Sequence, residues 1–438
     1  MTFCGLDFGT SNTTLALWRG GGPVLAALED GKSTVPSAVF YDRNGNLTIG
    51  RAAMARYVEG EDGRLMRSLK AVLGSALIEE KTQIGRRAIG FREVIADYLG
   101  AVKARAEAEA GTGAAGGKLD AVVLGRPVFF VDDDEAANRK AEDTLRAIAA
   151  DIGFTEVSTQ FEPIAAALDY EQQATGEEIA LIADIGGGTS DFSIVRLGEA
   201  RRTRADRADD ILANDGVRIG GTDFDRTLSL GTLMPLLGFR SPMKRPGRDV
   251  PSGYFHELAT WSSINRLYNA RTVRELNEVR REAAEPQRVE RLIRVIEEQR
   301  GHTLAMEAEA AKIALAEAEQ ARVDLGWLEA GLSVGLTPDE LVEHTKGLAG
   351  RIARRVGICL GQAGLKAGDI DALFLTGGST RLAHVRAAIR ATVPQARAVD
   401  GDTFGSVGTG LAIEAARRYG KPGAGDLSRG ADGRISAA

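Results

Sequence analysis

Short apolar runs of strand length alternate with longer amphipathic stretches along most of the chain. FCGLDFGTSNTTLALWR, residues 3–19, reads as strand, turn, strand, with Thr13, Leu15 and Leu17 suiting the second strand. PVLAAL, TVPSAVFYD and NLTIG continue as β-like runs, and residues 51–110 read as helical, ending in KARAEAEAG. GTGAAGGK is a loop. LDAVVLGRPVFF then predicts a strand, AANRKAEDTLRAIAADIG a helix closed by Gly153, and VSTQFEP a short strand. Pro163 and Ile164 open a further helix, PIAAALDYEQQA, where a missing N–H costs nothing. LIADIGGGTSDFSIV, residues 181–195, is a second strand–turn–strand. RRTRADRADD reads as a solvated loop. The charged stretch 255–330 reads as a solvent-lapped helical lobe, and IDALFLTGGSTRL as strand, glycine turn and helix start.

Strands and helices alternate twice, with an insertion in each half, which predicts an α/β protein of two similar lobes. Lobe I is expected over 1–165, with an insertion at about 40–115. Lobe II is expected over 166–419, with a helical insertion at about 230–330, and residues from about 395 to 419 returning to lobe I. Residues 420–438 are polar and Gly-rich and are expected to be a disordered tail. An internal echo supports duplication. LDFGTSNTTLAL and ADIGGGTSDFSIV both run strand, Asp, apolar residue, Gly, hydroxyl, strand, and the second copy carries two extra glycines.

Composition narrows the function classes only modestly. The net charge of −6 argues against a nucleic-acid or anionic-membrane surface. No window reaches the ~18 apolar residues of a membrane span, and Asp7 interrupts the first apolar run, which is unlike a signal peptide. Two cysteines, Cys4 and Cys359, cannot form a disulfide framework and suit a reducing, cytoplasmic location. The four histidines, His256, His302, His344 and His384, share no ligand spacing with them and are assigned no metal role.

The glycine turns carry the candidate chemistry. With no Cβ in the way, consecutive backbone N–H groups can converge on phosphate oxygens, and Thr10, Ser11 and Thr189 add hydroxyls. Asp7 and Asp184 end their strands where they would repel a phosphate, which makes sense if a divalent cation, Mg²⁺, sits between. No GxxxxGK[ST] loop occurs at either place, so this is not a Walker A site. A third turn, LTGGSTR at 375–381, can offer backbone and Arg381 to a ligand.

With these segments in place, the chain resembles the nucleotide-binding domain of the DnaK-type heat-shock chaperones, within the actin and sugar-kinase superfamily, and looks most like its short, YegD-like branch. GLDFGTSNT, DIGGGTSDFS, FEPIAAALDY, RIGGTDFD, EAAKIAL and LTGGSTR carry the likeness, which runs from about residue 3 to about 416. The resemblance implies duplicated actin-like ATPase (ribonuclease H-like) lobes around a nucleotide cleft. It implies that Asp7 and Asp184 hold hydrated Mg²⁺ with Asp191 near the metal shell. Gly9, Thr10, Ser11, Asn12, Gly186, Gly187, Gly188 and Thr189 would line the phosphates, bounded by Gly220 and Gly221. Lys70 would orient the attacking water, with Glu162 beside it. Glu309 and Lys312 would flank the nucleoside from above, and Gly377, Gly378, Ser379 and Arg381 would hold it from below. Two positions depart from the family pattern. Ala316 stands where a serine is usual, and Phe404 stands at or beside a usual acid.

The expected activity is slow, Mg²⁺-dependent ATP hydrolysis driving a chaperone-like conformational switch. No apolar linker leads into a peptide-binding domain, so a protein partner or client is expected in trans. A small-molecule kinase on the same fold, an actin-like filament protein and a nucleotide-binding pseudoenzyme remain alternatives.

Overall fold

A computed structural model describes residues 1–111, 117–202, 204 and 208–420. The tail expected from 420 onward therefore lies outside the described residues, Gly420 apart, as do parts of the loops GTGAAGGK and RRTRADRADD.

The chain opens with β1 (Phe3–Phe8), β2 (Asn12–Arg19) and β3 (Gly22–Leu25). β4 (Thr34–Pro36) joins β2 in the same sheet, and a small subdomain follows, made of β5 (Ala38–Asp42), β6 (Leu47–Ile49), α1 (Arg51–Val58), β7 (Gly63–Arg67), α2 (Lys70–Leu73), β8 (Lys81–Ile84) and β9 (Arg87–Gly90). The first lobe is completed by α3 (Phe91–Ala110), β10 (Ala121–Arg126), α4 (Glu135–Asp151), β11 (Glu156–Phe161) and α5 (Glu162–Glu171). The second lobe begins with β12 (Glu178–Ile185), β13 (Ser190–Leu197), β14 (Ile211–Val217) and α6 (Gly221–Thr232). Its insertion holds α7 (Gly253–Leu258), α8 (Ala270–Glu282), α9 (Pro286–Glu297), α10 (Gly301–Ala314), β15 (Ala321–Asp324) and β16 (Ser333–Leu336). It closes with α11 (Pro338–Ala363), β17 (Ala372–Thr376), α12 (Ala383–Arg390), β18 (Arg397–Asp400) and α13 (Ser406–Tyr419).

The two main sheets share one topology. One runs β11-β10-β1-β2-β3, with β4 on β2, and the other runs β18-β17-β12-β13-β14. In each, an antiparallel meander of three strands is extended by two parallel strands. The helices fall at equivalent points, so α3, α4 and α5 match α11, α12 and α13. The closing helices cross over, because α13 lies on β1, β2 and β10 while α5 lies on β12 and β13. Between them Ile164, Tyr170, Phe374, Val407 and Leu411 form a shared core.

Residues 51–110 are not continuously helical as the pattern suggested, since β7, β8 and β9 interrupt them. These strands are four or five residues long and take their order from pairing with β5 or with one another, which local periodicity does not reveal. The insertion is also less solvated than its composition implies. α9 buries Val289, Leu292, Ile293, Val295 and Ile296 in the core of the second lobe. The 26-residue α11 is not anticipated above, although Thr337 and Glu340 form a capping box around Pro338 and Gly364 ends it at φ 67°.

The helix crossing depends on one absent side chain. A Cβ on Gly410 of α13 would overlap the Ala165 backbone carbonyl in α5, which a rotamer change cannot relieve. Gly410→Ala is therefore expected to cost about 3 kcal/mol or more of stability in urea unfolding. Gly350, mid-helix in α11, would meet nothing, so Gly350→Ala should stabilise by about 0.5–1 kcal/mol.

Candidate active site

The cleft between the lobes is built on the two strand–turn–strand units. Phe8 faces Thr13 and Ile185 faces Ser190, so the turns span residues 9–12 and 186–189 and are equally long. The extra glycines of the second motif are therefore replacements and not an insertion. Gly187 and Gly188 stand where Thr10 and Ser11 stand in the first turn. The reason is steric. A Cβ on Gly187 would come within 2.9 Å of Ser11 Cβ, and one on Gly188 within 2.5 Å of Thr10 Oγ1. A Cβ on Gly9 would in turn strike the Asn12 carbonyl.

The second turn is braced from behind. Gly221 N–H donates to the Gly186 carbonyl at 2.9 Å, Thr222 N–H to that of Gly187 at 2.8 Å, and Ser379 Oγ to that of Gly186 at 3.2 Å. Gly220 sits outside the cleft lining, where its missing side chain lets α6 approach the Gly187 backbone. The carbonyls are thus engaged, whereas no backbone acceptor takes the N–H groups of Thr10, Ser11, Gly187, Gly188 or Thr189 among the described residues. Those donors line a cleft partly open to solvent, the kind of concave site that small-molecule ligands occupy.

Carboxylates crowd the floor. Asp7 and Asp184 end β1 and β12, and neither accepts a hydrogen bond among the described residues. Left-handed Ser68 (φ 59°) turns the chain from β7 into α2, whose Lys70 forms a buried ion pair with Glu162 at the start of α5. Asp191 is directly opposite Asp184 on β13, behind the cleft wall. Its Oδ1 accepts from Val128 N–H at 2.7 Å, and its Oδ2 has no hydrogen-bond partner among the described residues. Burial, then repulsion from Glu162, raises Asp7 to about 7 against the pull of Lys70. Burial and Glu162 likewise raise Asp191 to about 7, opposed by Thr189, Val128 N–H and Lys70. Asp184 is raised well above the carboxylate range by burial, Glu162, Asp7 and Asp191. Burial works against the Lys70 ammonium, but Glu162, Asp7 and Asp191 outweigh it and hold its pKa above the ordinary lysine value.

Four carboxylates thus share one ammonium, and a divalent cation would supply the missing positive charge. No three His, Cys, Asp or Glu side chains among the described residues form a metal-binding group. Asp7 and Asp184, which line the cleft, could hold a hydrated ion through its waters, as Mg²⁺ prefers.

At the other end, Glu309, Lys312 and Ile313 of α10 and Ala316 of the turn after it line the cleft. Glu309 and Lys312 do not pair with each other. Lys312 binds Asp225 at 2.8 Å and donates to the Gly221 carbonyl at 3.2 Å, while Glu309 pairs with Arg67 across the cleft. Gly377 (φ 84°) allows the close approach of its loop, because a Cβ there would lie 2.6 Å from Asp184 Oδ1. Gly378, Ser379 and Arg381 line the same wall, and Arg381 pairs with Glu317. Of the residues expected at the site, all but Asp191 and Gly220 line the cleft. Thr14 and Thr376 also line the cleft without having been anticipated as site residues, Phe404 lines it at the departure noted above, and Arg67 and Asp225 stand outside the lining as partners of Glu309 and Lys312. Thr14 carried a signal, since it is the register equivalent of Asp191, opposite Asp7. Arg67 and Asp225 carried none.

Arg67 also lies over the Trp261 ring at 4.7 Å, and Asn265 Nδ2 donates to the Leu65 carbonyl at 3.2 Å. Tyr57 of α1 meets His302 of α10 edge-on at 5.4 Å. The lobes therefore touch at the cleft mouth as well as at the helix crossing.

Two matched lobes, glycine turns facing each other and an acidic floor define an actin-like ATPase fold. The model of the family described as Hsp70 protein matches residues 3–92, 74–230 and 283–427. The chain belongs to the Hsp70 family, and ATP binding with chaperone-type ATPase activity is the function that membership carries. Residues 231–282, in the helical insertion, fall between the matched segments. Among the described residues, no helix is long and apolar enough to cross a membrane.

His302 gives the mouth contacts a pH dependence. Neither ring nitrogen has a hydrogen-bond partner among the described residues, and burial, with Arg64 and Arg67 adding to it, lowers the imidazole from 6.5 to about 3. On acidification the unfolded chain takes up this proton first. The contribution is therefore full above about 6.5 and is lost progressively as pH falls towards about 3. Urea midpoints measured from pH 6.5 to 4 should fall less steeply for His302→Phe than for the wild type; equal slopes would show that His302 is not held neutral.

Proposed function

We propose that this protein is a Mg²⁺-dependent, slow ATPase that works as a conformational switch on a protein partner in trans, in the cytoplasm. The observation that carries the reading is the set of free N–H groups on two opposed glycine turns directly above Asp7, Asp184 and the Lys70–Glu162 pair. Phosphoryl transfer asks mainly for positioning and charge neutralisation. Thr10, Ser11, Gly187, Gly188 and Thr189 would hold phosphate oxygens through backbone donors, with Gly9, Asn12, Gly186 and Gly221 shaping the turns. Bound Mg²⁺, held through water by Asp7 and Asp184, would neutralise charge on the phosphates. Asp191 would support the acidic wall from behind.

Lys70, kept protonated by its acidic neighbours, would donate to an attacking water and to the developing negative charge. Glu162 would fix the Lys70 ammonium in place and orient that water. Glu309, Lys312, Gly377, Gly378, Ser379 and Arg381 would enclose the nucleoside. Both turns would contact the same phosphates, so loss of the γ-phosphate would weaken the hold of one lobe on the other. The partner would sense that change on the outer faces of the lobes. Buried, unpaired Cys4 and Cys359 suit a reducing compartment.

Single-turnover phosphate release from Mg·ATP tests this directly. The wild type is expected to release phosphate slowly to water. Lys70→Ala should still bind ATP but release phosphate about 10²–10³-fold more slowly. Binding without release in both proteins would leave a nucleotide-binding pseudoenzyme, and phosphate appearing on an added sugar would make the protein a kinase.

A further inference from the structure

We infer that the nucleoside end of the cleft holds a purine base by stacking and packing without reading its edge, so that guanosine triphosphate binds there as well as adenosine triphosphate. The inference rests on the nucleotide-binding reading above and goes beyond it to specificity.

Six large hydrophobic side chains are exposed among the described residues, and two of them, Ile313 at 57% and Phe404 at 43%, line this one cleft from different elements. Apolar groups left facing solvent inside a concave site mark the place of a ligand's apolar face. The Phe404 ring stands over Gly378, where a Cβ would lie 3.2 Å from Cε1, so the glycine leaves the ring face clear. Phe404 N–H donates to Asp402 Oδ1 at 3.1 Å, which ties the turn that presents the ring. Ala316 adds a methyl in the turn just after α10.

Discrimination between adenine and guanine needs donors and acceptors fixed toward the base edge, because an unpaired edge is what penalises the wrong base. The polar side chains at this end are engaged elsewhere. Glu309 is held by Arg67, Lys312 by Asp225, and Ser379 Oγ by the Gly186 carbonyl. Thr403 hydroxyl, which has no partner among the described residues, rotates to donate or accept and so favours neither base. Arg381 pairs with Glu317 in solvent, a weak tie. Released from it, the guanidinium offers a flat face to either purine. Nothing in this wall rejects guanine.

The test is equilibrium binding of ATP and of GTP, each with Mg²⁺, to the full chain by titration calorimetry, with wild type, Phe404→Ala and Phe404→Trp. The two wild-type affinities are expected to agree within about tenfold. Phe404→Ala should weaken both by about fivefold or more, in equal proportion, because base–aromatic stacking is tolerant of sequence. Phe404→Trp should restore both, and thermal melts would verify that each variant folds. Tight ATP binding with GTP more than about a hundredfold weaker overturns the inference and leaves the ATPase reading intact. So does a folded Phe404→Ala that binds ATP as the wild type does. Failure of the wild type to bind either nucleotide overturns both.

Discussion

Two turns meet at the centre of this molecule in a space that admits the side chains of only one of them. Thr10 and Ser11 fill the gap from the first lobe, so the matching positions in the second must be Gly187 and Gly188. Much else follows from that contact. It sets the distance between two sheets of identical topology, and it leaves a row of backbone donors with no acceptor in the protein. It also brings the acidic ends of β1 and β12 under the same small volume. The duplication is symmetric in its strand order and necessarily asymmetric here, because two copies of either turn would clash or leave a void.

The acidic floor is costly in isolation. Asp184 and Asp191 face the same side of their strand pair, where like charges destabilise, and burial penalises every ionised carboxylate in the cluster. The Lys70–Glu162 pair does not repair this, since a buried pair roughly balances its own desolvation. Groups held in such a state are functional more often than structural. The strain is tolerated because the surrounding frame is rigid, with Leu6, Ile185 and Phe192 fully buried beside the cluster and the turns braced through the Gly186 and Gly187 carbonyls. A bound cation and phosphates would satisfy together what neither lobe satisfies alone.

What the sequence made legible follows the range of the interactions involved. The two turns and their aspartates were readable because glycine, hydroxyl and acid at fixed spacing encode local backbone geometry. The equal length of the turns was not, because register is a property of strand pairing, visible only once Phe8 faces Thr13 and Ile185 faces Ser190. Partners far apart in the chain left no trace at all, as with Arg67 and Glu309, 242 positions apart. The short strands β7, β8 and β9 were hidden for the same reason, whereas α11 carried caps at both ends that local reasoning can use. Ile313 looks like an ordinary core residue in the sequence, and only its exposure inside a cleft gives it meaning, whereas Phe404 was legible only as a departure from the family pattern.

The lobes are joined at two unequal places, and the difference constrains how they can move. At the base, α5 and α13 cross with Gly410 against Ala165, backbone on backbone, in a core shared by both sheets. Sliding there would collide atoms that have no rotamer to yield. At the mouth, the contacts include the ion pairs Arg67–Glu309 and Arg266–Glu80, a cation–π stack, an edge-on ring pair, the Asn265 amide bond and a Tyr57 hydroxyl bond to the Gln299 carbonyl. Each can part without disturbing a core. Opening must therefore hinge at the helix crossing and break the mouth, with the glycine turns between them separating by an intermediate amount. A ligand that touches both turns favours the closed form by the contacts it loses on opening, and one that touches a single turn exerts no such bias. A phosphate chain bound by both turns would therefore be what the lobes could sense, since its loss from either turn would release them.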